Sequence, residues 1–259
     1  AMVHHKIDCE GLEFDLLITD VEELNRKAKN NILDITKISY HAYSYIAENY
    51  IILDSGSALG KNNGPILVGK KFYPMHEIPN LQIAIPGKMT TANLLLSIAF
   101  PEAKNKIENL FSDIEELILS DKVDAGLIIH ENRFTYEQKG LKKIIDLGEF
   151  WELKTGSLIP LGGITANRNL PKETILKINR ILKRSVEFAF KNPMESLNFM
   201  KKYSQEMDEN IMYKHIELYV NDFTLNLGSE GKKSIRLLYE YAENLKLIPK
   251  LPLEIFIQS

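Results

Sequence analysis

Cysteine is all but missing from this chain, where Cys9 is the one thiol in 259 residues. A lone cysteine cannot close an intramolecular disulfide or build a thiolate metal site by itself, so a reducing compartment, the cytoplasm, is the expected location. Long apolar runs are missing as well. Nothing approaches the roughly 20 apolar residues of a bilayer-spanning helix, and the opening AMVHHKIDCEGL lacks the apolar centre of a secretory signal. No membrane partner is expected. Ala1 ahead of Met2 reads as a cloning scar, with Met2 as the start codon. An excess of basic charge is also absent, since 32 Lys and Arg stand against 35 Asp and Glu for a net charge of -3. Proteins that neutralise many phosphates carry a broad basic field. Without one, and without a helix-turn-helix stretch or basic arm, nucleic acid is not an expected partner.

What is present is globular: 44% hydrophobic and 26% charged residues sit near the average of packed soluble domains. The first third alternates strand-like and helix-like runs, the pattern of a parallel sheet covered by helices. EFDLLITD (13–20) reads as a strand, and Asp20 caps the helix VEELNRKAKNN (21–31). LDITKIS (33–39) reads as a strand, YHAYSYIAENY (40–50) as a helix and IILDSG (51–56) as a strand. SALGKNNGPI (57–66) is rich in turn-forming Gly, Asn and Ser and reads as a loop. A second series then begins. ILVGKKF and LQIAIPG are strands, TTANLLLSIAF (90–100) a buried helix, and IENLFSDIEELILSD (107–121) an amphipathic helix with Ile107, Leu110, Phe111, Ile114, Leu117 and Ile118 on one face. DAGLIIHE (124–131) is a short apolar run, and LIPLGGITANRNL (158–170) an extended segment crossing back. The remainder is mostly helical: 172–190, MESLNFMKKYSQ after Asn192-Pro193, about 208–220, and 231–247 capped by Ser229, with DFTLNLGSEG as a loop. One lobe built first, a second inserted and a return through 158–168 would leave a cleft, where such folds bind ligands.

Several residues suit chemistry at that cleft. His130 ends the GLIIH run, where an imidazole faces the cleft as a general base or is satisfied by a backbone carbonyl as a structural group. PGKMTTA (86–92) ends a strand and opens a helix, which offers free amides and two hydroxyls to a carboxylate or phosphate; Thr90 as a simple N-cap is the plainer alternative. Lys37 and Ser39 close another strand, with a solvated lysine as the alternative to a ligand contact. SGSALG (55–60) resembles a phosphate loop but lacks the lysine-hydroxyl ending that a nucleotide loop needs. His4 and His5 point to different sides, and His41, His76 and His215 have no ligand at a recognised metal spacing, so no metal is expected. Asp124 suits a turn or cap, and Arg133 either a surface charge or an anion contact.

Taken together, DITKIS (34–39), SGSALGKNNGP (55–65), PGKMTTA (86–92), VDAGLIIHENRFTY (123–136), LGEFWELKTGSLIPLGG (147–163) and HIELYVNDFTLNLGSEG (215–231) resemble the 1,4-dihydroxy-6-naphthoate synthase family of the futalosine route to menaquinone. The resemblance runs nearly end to end. It implies an α/β, two-lobed, periplasmic-binding-protein-like (type II) fold with a cleft between lobes, residues 1–67 and 164–259 forming lobe 1 and 68–163 lobe 2. It also implies a lyase that converts cyclic dehypoxanthinyl futalosine to 1,4-dihydroxy-6-naphthoate with release of dihydroxyacetone, without a cofactor. By the same resemblance His130 is the proton acceptor, Thr91 and Ala92 with Thr90 line the site of a small-molecule carboxylate, and Lys37 and Ser39 contribute to it. Relatives usually begin with a strand and a segment like SPCPNDTF, which this sequence lacks. The expectation is a first lobe short of a strand, whose exposed edges invite pairing between two chains, a homodimer. The rivals are a non-catalytic binder of the same fold, the sister chorismate dehydratase and a ligand-sensing regulatory module.

Overall fold

The computed structural model describes residues 1–203 and 209–258. Helix α1 (Val21–Lys29) begins where the Asp20 carboxylate accepts the Glu22 amide at 2.8 Å, one of the amides that a helix start leaves unpaired. Strand β1 (Ile35–Ser39), the short helix α2 (Tyr40–Tyr43), β2 (Tyr50–Ile52) and β3 (Ala58–Gly60) follow. The chain then passes to a second sheet through β4 (Ile66–Gly69), β5 (Ile83–Ile85), α3 (Thr91–Ala99), β6 (Lys106–Glu108), α4 (Ile114–Leu119), β7 (Ala125–Ile128) and β8 (Lys142–Asp146). Helix α5 (Leu147–Thr155) carries it back to β9 (Ile159–Asn167), after which come α6 (Lys172–Lys191), α7 (Leu197–Tyr203), α8 (Glu209–Tyr219), α9 (Asp222–Leu225) and α10 (Gly228–Asn244).

Two sheets result. In the first, β9 is the spine and every partner is antiparallel: β1 lies on one side, β2 and β3 on the other. The second has the order β6-β5-β7-β4-β8, with β5 parallel to β6 and β7 and β4 antiparallel to β7 and β8. The expectation of parallel sheets is thus corrected to one antiparallel and one mixed sheet. In β4 the side chains alternate between two buried faces, Leu67 entering the largest core and Ile66 and Val68 a second one under α4, which is why the strand is apolar throughout. A third core packs Ile175 and Ile178 of α6 against Ala166 of β9.

The two crossings between sheets touch. A Cβ on Gly64, in the 61–65 crossing, would sit 2.3 Å from the Gly148 Cα at the start of α5, so the backbones meet with no side chain between them. Asp146 caps α5 through the Gly148 and Glu149 amides, and Gly156 ends it in the left-handed conformation. Between these ends Trp151 is fully buried, its indole N–H donating to the Leu158 carbonyl at 3.0 Å and its ring edge-on to Tyr241 of α10.

Several expectations give way to tertiary context. Residues 13–20 are not a strand but an irregular segment with Leu16, Leu17 and Ile18 about half exposed; a strand exists only where a neighbour takes its hydrogen bonds, and among the described residues no other segment pairs with this one. The helix over 40–50 shrinks to α2, because Tyr50 already pairs with Asn167. The 57–66 loop contains β3 and the first residue of β4. The helix over 107–121 becomes α4 with a 3-10 turn before it, since β5 recruits Lys106–Glu108 as a parallel partner. The 222–231 loop holds α9 and the start of α10, so Ser229 lies inside a helix rather than capping it. Ser204, Gln205 and Asp208, in the two helices expected there, lie outside the described residues.

Candidate active site

A cavity of about 270 Å³ lies between the two sheets, and Lys37, Ser39, Thr90, Thr91, Ala92 and His130 all line it. Its architecture comes from a polar chain. Asn25 of α1 accepts the Ser39 amide at 3.0 Å and donates to the Ser39 hydroxyl, while Glu22 accepts from Asn25 and from the Met89 amide. One buried carboxylate thereby sets the end of β1 beside the start of α3. Lys37 alternates away from buried Thr36 and Ile38, so its side chain enters the cavity, where surrounding protein lowers its pKa from the ordinary lysine value.

At the start of α3 both hydroxyls are already engaged. Thr90 donates to the Gly87 carbonyl and accepts the Asn93 amide as the N-cap; Thr91 donates to Leu161 of β9 and accepts the His41 amide. What remains for an anion is the helix end itself, where the Thr91 and Ala92 amides have no acceptor within the helix.

His130 follows β7 with φ of +58°, a left-handed conformation that costs a non-glycine residue about 1 kcal/mol and persists where the surroundings enforce it. Its ring meets Phe111 edge-on at 5.0 Å and His215 of α8 at 5.8 Å, with ring planes at 89°. Burial, then His215, then Lys37 push its pKa down to about 3; burial and Lys37 push His215 down to about 4. Both imidazoles are therefore neutral near pH 7. Arg133 is not a free surface charge: it donates to the Gly64 carbonyl and its anion contact is the Asp146 carboxylate, at 3.3 Å. Asp124 accepts the Gln82 amide, fastening the start of β7 to that of β5.

Sequence spacing does not reveal two further wall residues. His215 comes from a helix far along the chain, and one of its ring nitrogens lies within 4.8 Å of a ring nitrogen of His130 and a carboxylate oxygen of Glu131; the only local hint is Tyr219 one turn on, with its ring edge-on at 4.6 Å. Asn63 is fully buried on the 61–65 crossing, lines the cavity, and neither polar atom of its amide has a partner among the described residues. Such a group costs about 1 to 3 kcal/mol unless something satisfies it. Replacing Asn63 with Ala is expected to leave the urea midpoint unchanged or higher while weakening ligand binding by about tenfold, read by calorimetric titration.

Histidine burial also sets acid sensitivity. His41, enclosed and bonded to the Thr90 carbonyl, is held down to about 4 like His215. The unfolded chain takes protons at these three positions near pH 6.5, whereas the native one refuses them until about 4 or 3. Stability is therefore complete above pH 6.5 and falls as pH drops, by up to about 1.4 kcal/mol per pH unit for each histidine. Urea unfolding at pH 7 and pH 5 is expected to show a clearly lower midpoint at pH 5.

Two α/β lobes closing on a cavity, with strand ends and a helix start forming its walls, define the periplasmic-binding-protein-like class. The alkanesulfonate-binding protein SsuA from Xanthomonas axonopodis pv. citri superposes with a TM-score of 0.64 at 11% identity over 90% of this chain and 83% of its own, a likeness of fold alone. A crystal structure of an Archaeoglobus fulgidus protein agrees far better, with a TM-score of 0.90 at 38% identity over 95% of this chain and 92% of that one. The profile of a family described as menaquinone biosynthesis matches residues 1–244. The 1,4-dihydroxy-6-naphthoate synthase of Thermus thermophilus is 37% identical over 99% of this chain and 93% of its own length. That of Streptomyces coelicolor is 35% identical over 92% and 85%. The chain belongs to the 1,4-dihydroxy-6-naphthoate synthase family of menaquinone biosynthesis, as its motifs suggested. No described helix is long and apolar enough to cross a membrane.

Proposed function

We propose that this protein is a carbon-carbon lyase that converts cyclic dehypoxanthinyl futalosine to 1,4-dihydroxy-6-naphthoate and dihydroxyacetone, acting in the cytoplasm without a cofactor. The observation that carries the reading is the neutral imidazole of His130 on the wall of a cavity that also holds an open helix start and Lys37. An aryl carboxylate is received by the Thr91 and Ala92 amides and by Lys37, with Ser39 and Asn63 turned to its polar edge. The apolar wall, with Ile38, Ile129 and Leu161 among its residues, takes the ring system. His130 accepts the proton whose loss starts the cleavage, and the two lobes, divided near residues 67 and 164, keep water from the carbanion-like intermediate.

Incubation with the cyclic substrate and chromatography of the products tests this. Formation of the dihydroxynaphthoate together with the three-carbon fragment supports it; substrate returned intact makes the protein a binder.

A further inference from the structure

We propose that His215 is the proton donor opposite His130: it takes up a proton when an aryl carboxylate enters the cavity and delivers it to the fragment that departs. This rests on the lyase reading above. The geometry comes first. The two imidazoles arrive from separate elements, His130 at the end of β7 and His215 on α8, and face each other at 5.8 Å on the wall of one cavity. Helix α8 packs on the His130–Phe134 turn and on β3, so it bridges the two sheets and fixes the facing of the rings.

A second protonatable group is what the chemistry asks for. The proposed cleavage breaks a carbon-carbon bond and draws on no water, oxidant or reductant. A hydroxyl proton passes to the base, and the oxygen-hydrogen electron pair becomes the new carbonyl bond. The pair from the broken bond stays on the other carbon as an enolate, which must then be met by a proton. An imidazole that has just accepted a proton on one face of the substrate is poorly placed to donate on the other; two facing imidazoles divide the work, base and acid.

The division of roles says which ring carries the incoming proton. In the free protein both are neutral, held down by burial and by Lys37. Among the described residues, the charged and titratable groups around the pair are Lys37 from β1, Glu131 and Arg133 on the turn, and Tyr219 one turn along α8, which bonds to Arg133. An entering carboxylate offsets the Lys37 charge and favours an imidazolium beside it, an effect of about 1 to 3 pH units for an opposite charge at close range. Because His130 must meet the substrate neutral to act as the base, the facing ring of His215 is the one left to carry that proton.

The test is calorimetric titration of the wild-type protein with 2-naphthoate at pH 6 in two buffers of different ionisation enthalpy. Expected is uptake of roughly half a proton or more per chain, retained in His130→Asn and lost in His215→Gln and His215→Asn. In turnover, His215→Gln should lower kcat by about 100-fold, change KM far less, and abolish the alkaline limb of the kcat profile, which a purely structural role would leave in place. Binding without proton uptake, uptake that survives in the His215 variants, or no binding at all overturns the proposal. Wild-type protein that takes up the proton yet returns the cyclic substrate unchanged would sink the lyase reading instead.

Discussion

Replacing His130 with Asn is expected to lower turnover of the cyclic substrate by about 1000-fold or more while leaving 2-naphthoate binding within about threefold, because removing the base leaves the groups that hold the carboxylate in place. Asparagine is the informative substitution for a conformational reason. His130 has a φ of +58°, and Asn, unlike Ala, accepts that conformation readily. The variant is therefore expected to unfold at the same urea concentration as the parent, so lost activity is assignable to chemistry. His130→Gly should be equally inactive and more stable, by about 1 kcal/mol, as the strain is relieved. Turnover at the parental rate in either variant would remove the histidine from the mechanism.

The second large effect is structural. Gly64→Ala places a methyl group 2.3 Å from the Gly148 Cα and 2.5 Å from its amide nitrogen. Both neighbours are backbone, and neither can rotate aside. One of the two crossings must move, at a cost toward the upper end of the about 1 to 3 kcal/mol typical of overpacking. Because those crossings also set the spacing of the two sheets, kcat is expected to fall together with stability. A Gly64→Ala protein with parental melting temperature and turnover would show that the contact is looser than the geometry indicates.

The sequence revealed different features to different degrees, for physical reasons. Elements whose signal is local were legible: the Asp20 cap and α1, the buried helix α3 after Pro86-Gly87, the apolar run of β7 and the long stripe of α6 all stand where residue pattern alone puts them. Elements that depend on a partner were not. EFDLLITD has the alternation of a strand and remains irregular, while Lys106–Glu108 has little strand character and becomes one beside β5. At the cavity, Lys37, Ser39, Thr90, Thr91, Ala92 and His130 could be singled out because each closes a strand or opens a helix, positions that meet at a cleft, but position left a structural reading open for each, and the resemblance to the synthase family is what named them as site residues. His215 and Asn63 escaped, since a mid-helix histidine and a loop asparagine carry no positional signal until α8 and the 61–65 crossing are folded over the site. In the motif PGKMTTA the plainer alternative holds for Thr90, whose hydroxyl is the N-cap, and the Thr91 hydroxyl, read as a ligand donor, is taken by the Leu161 carbonyl.

Trp151 lies in the helix that returns the chain from one sheet to the other, sealed against Tyr241 and fastened to the Leu158 carbonyl. As the sole indole in the chain, it makes intrinsic fluorescence a single-site signal. Its emission should be blue and poorly quenched by iodide in the folded state, and a red shift would mark parting of the seam between the returning helix and α10 rather than an average over the molecule.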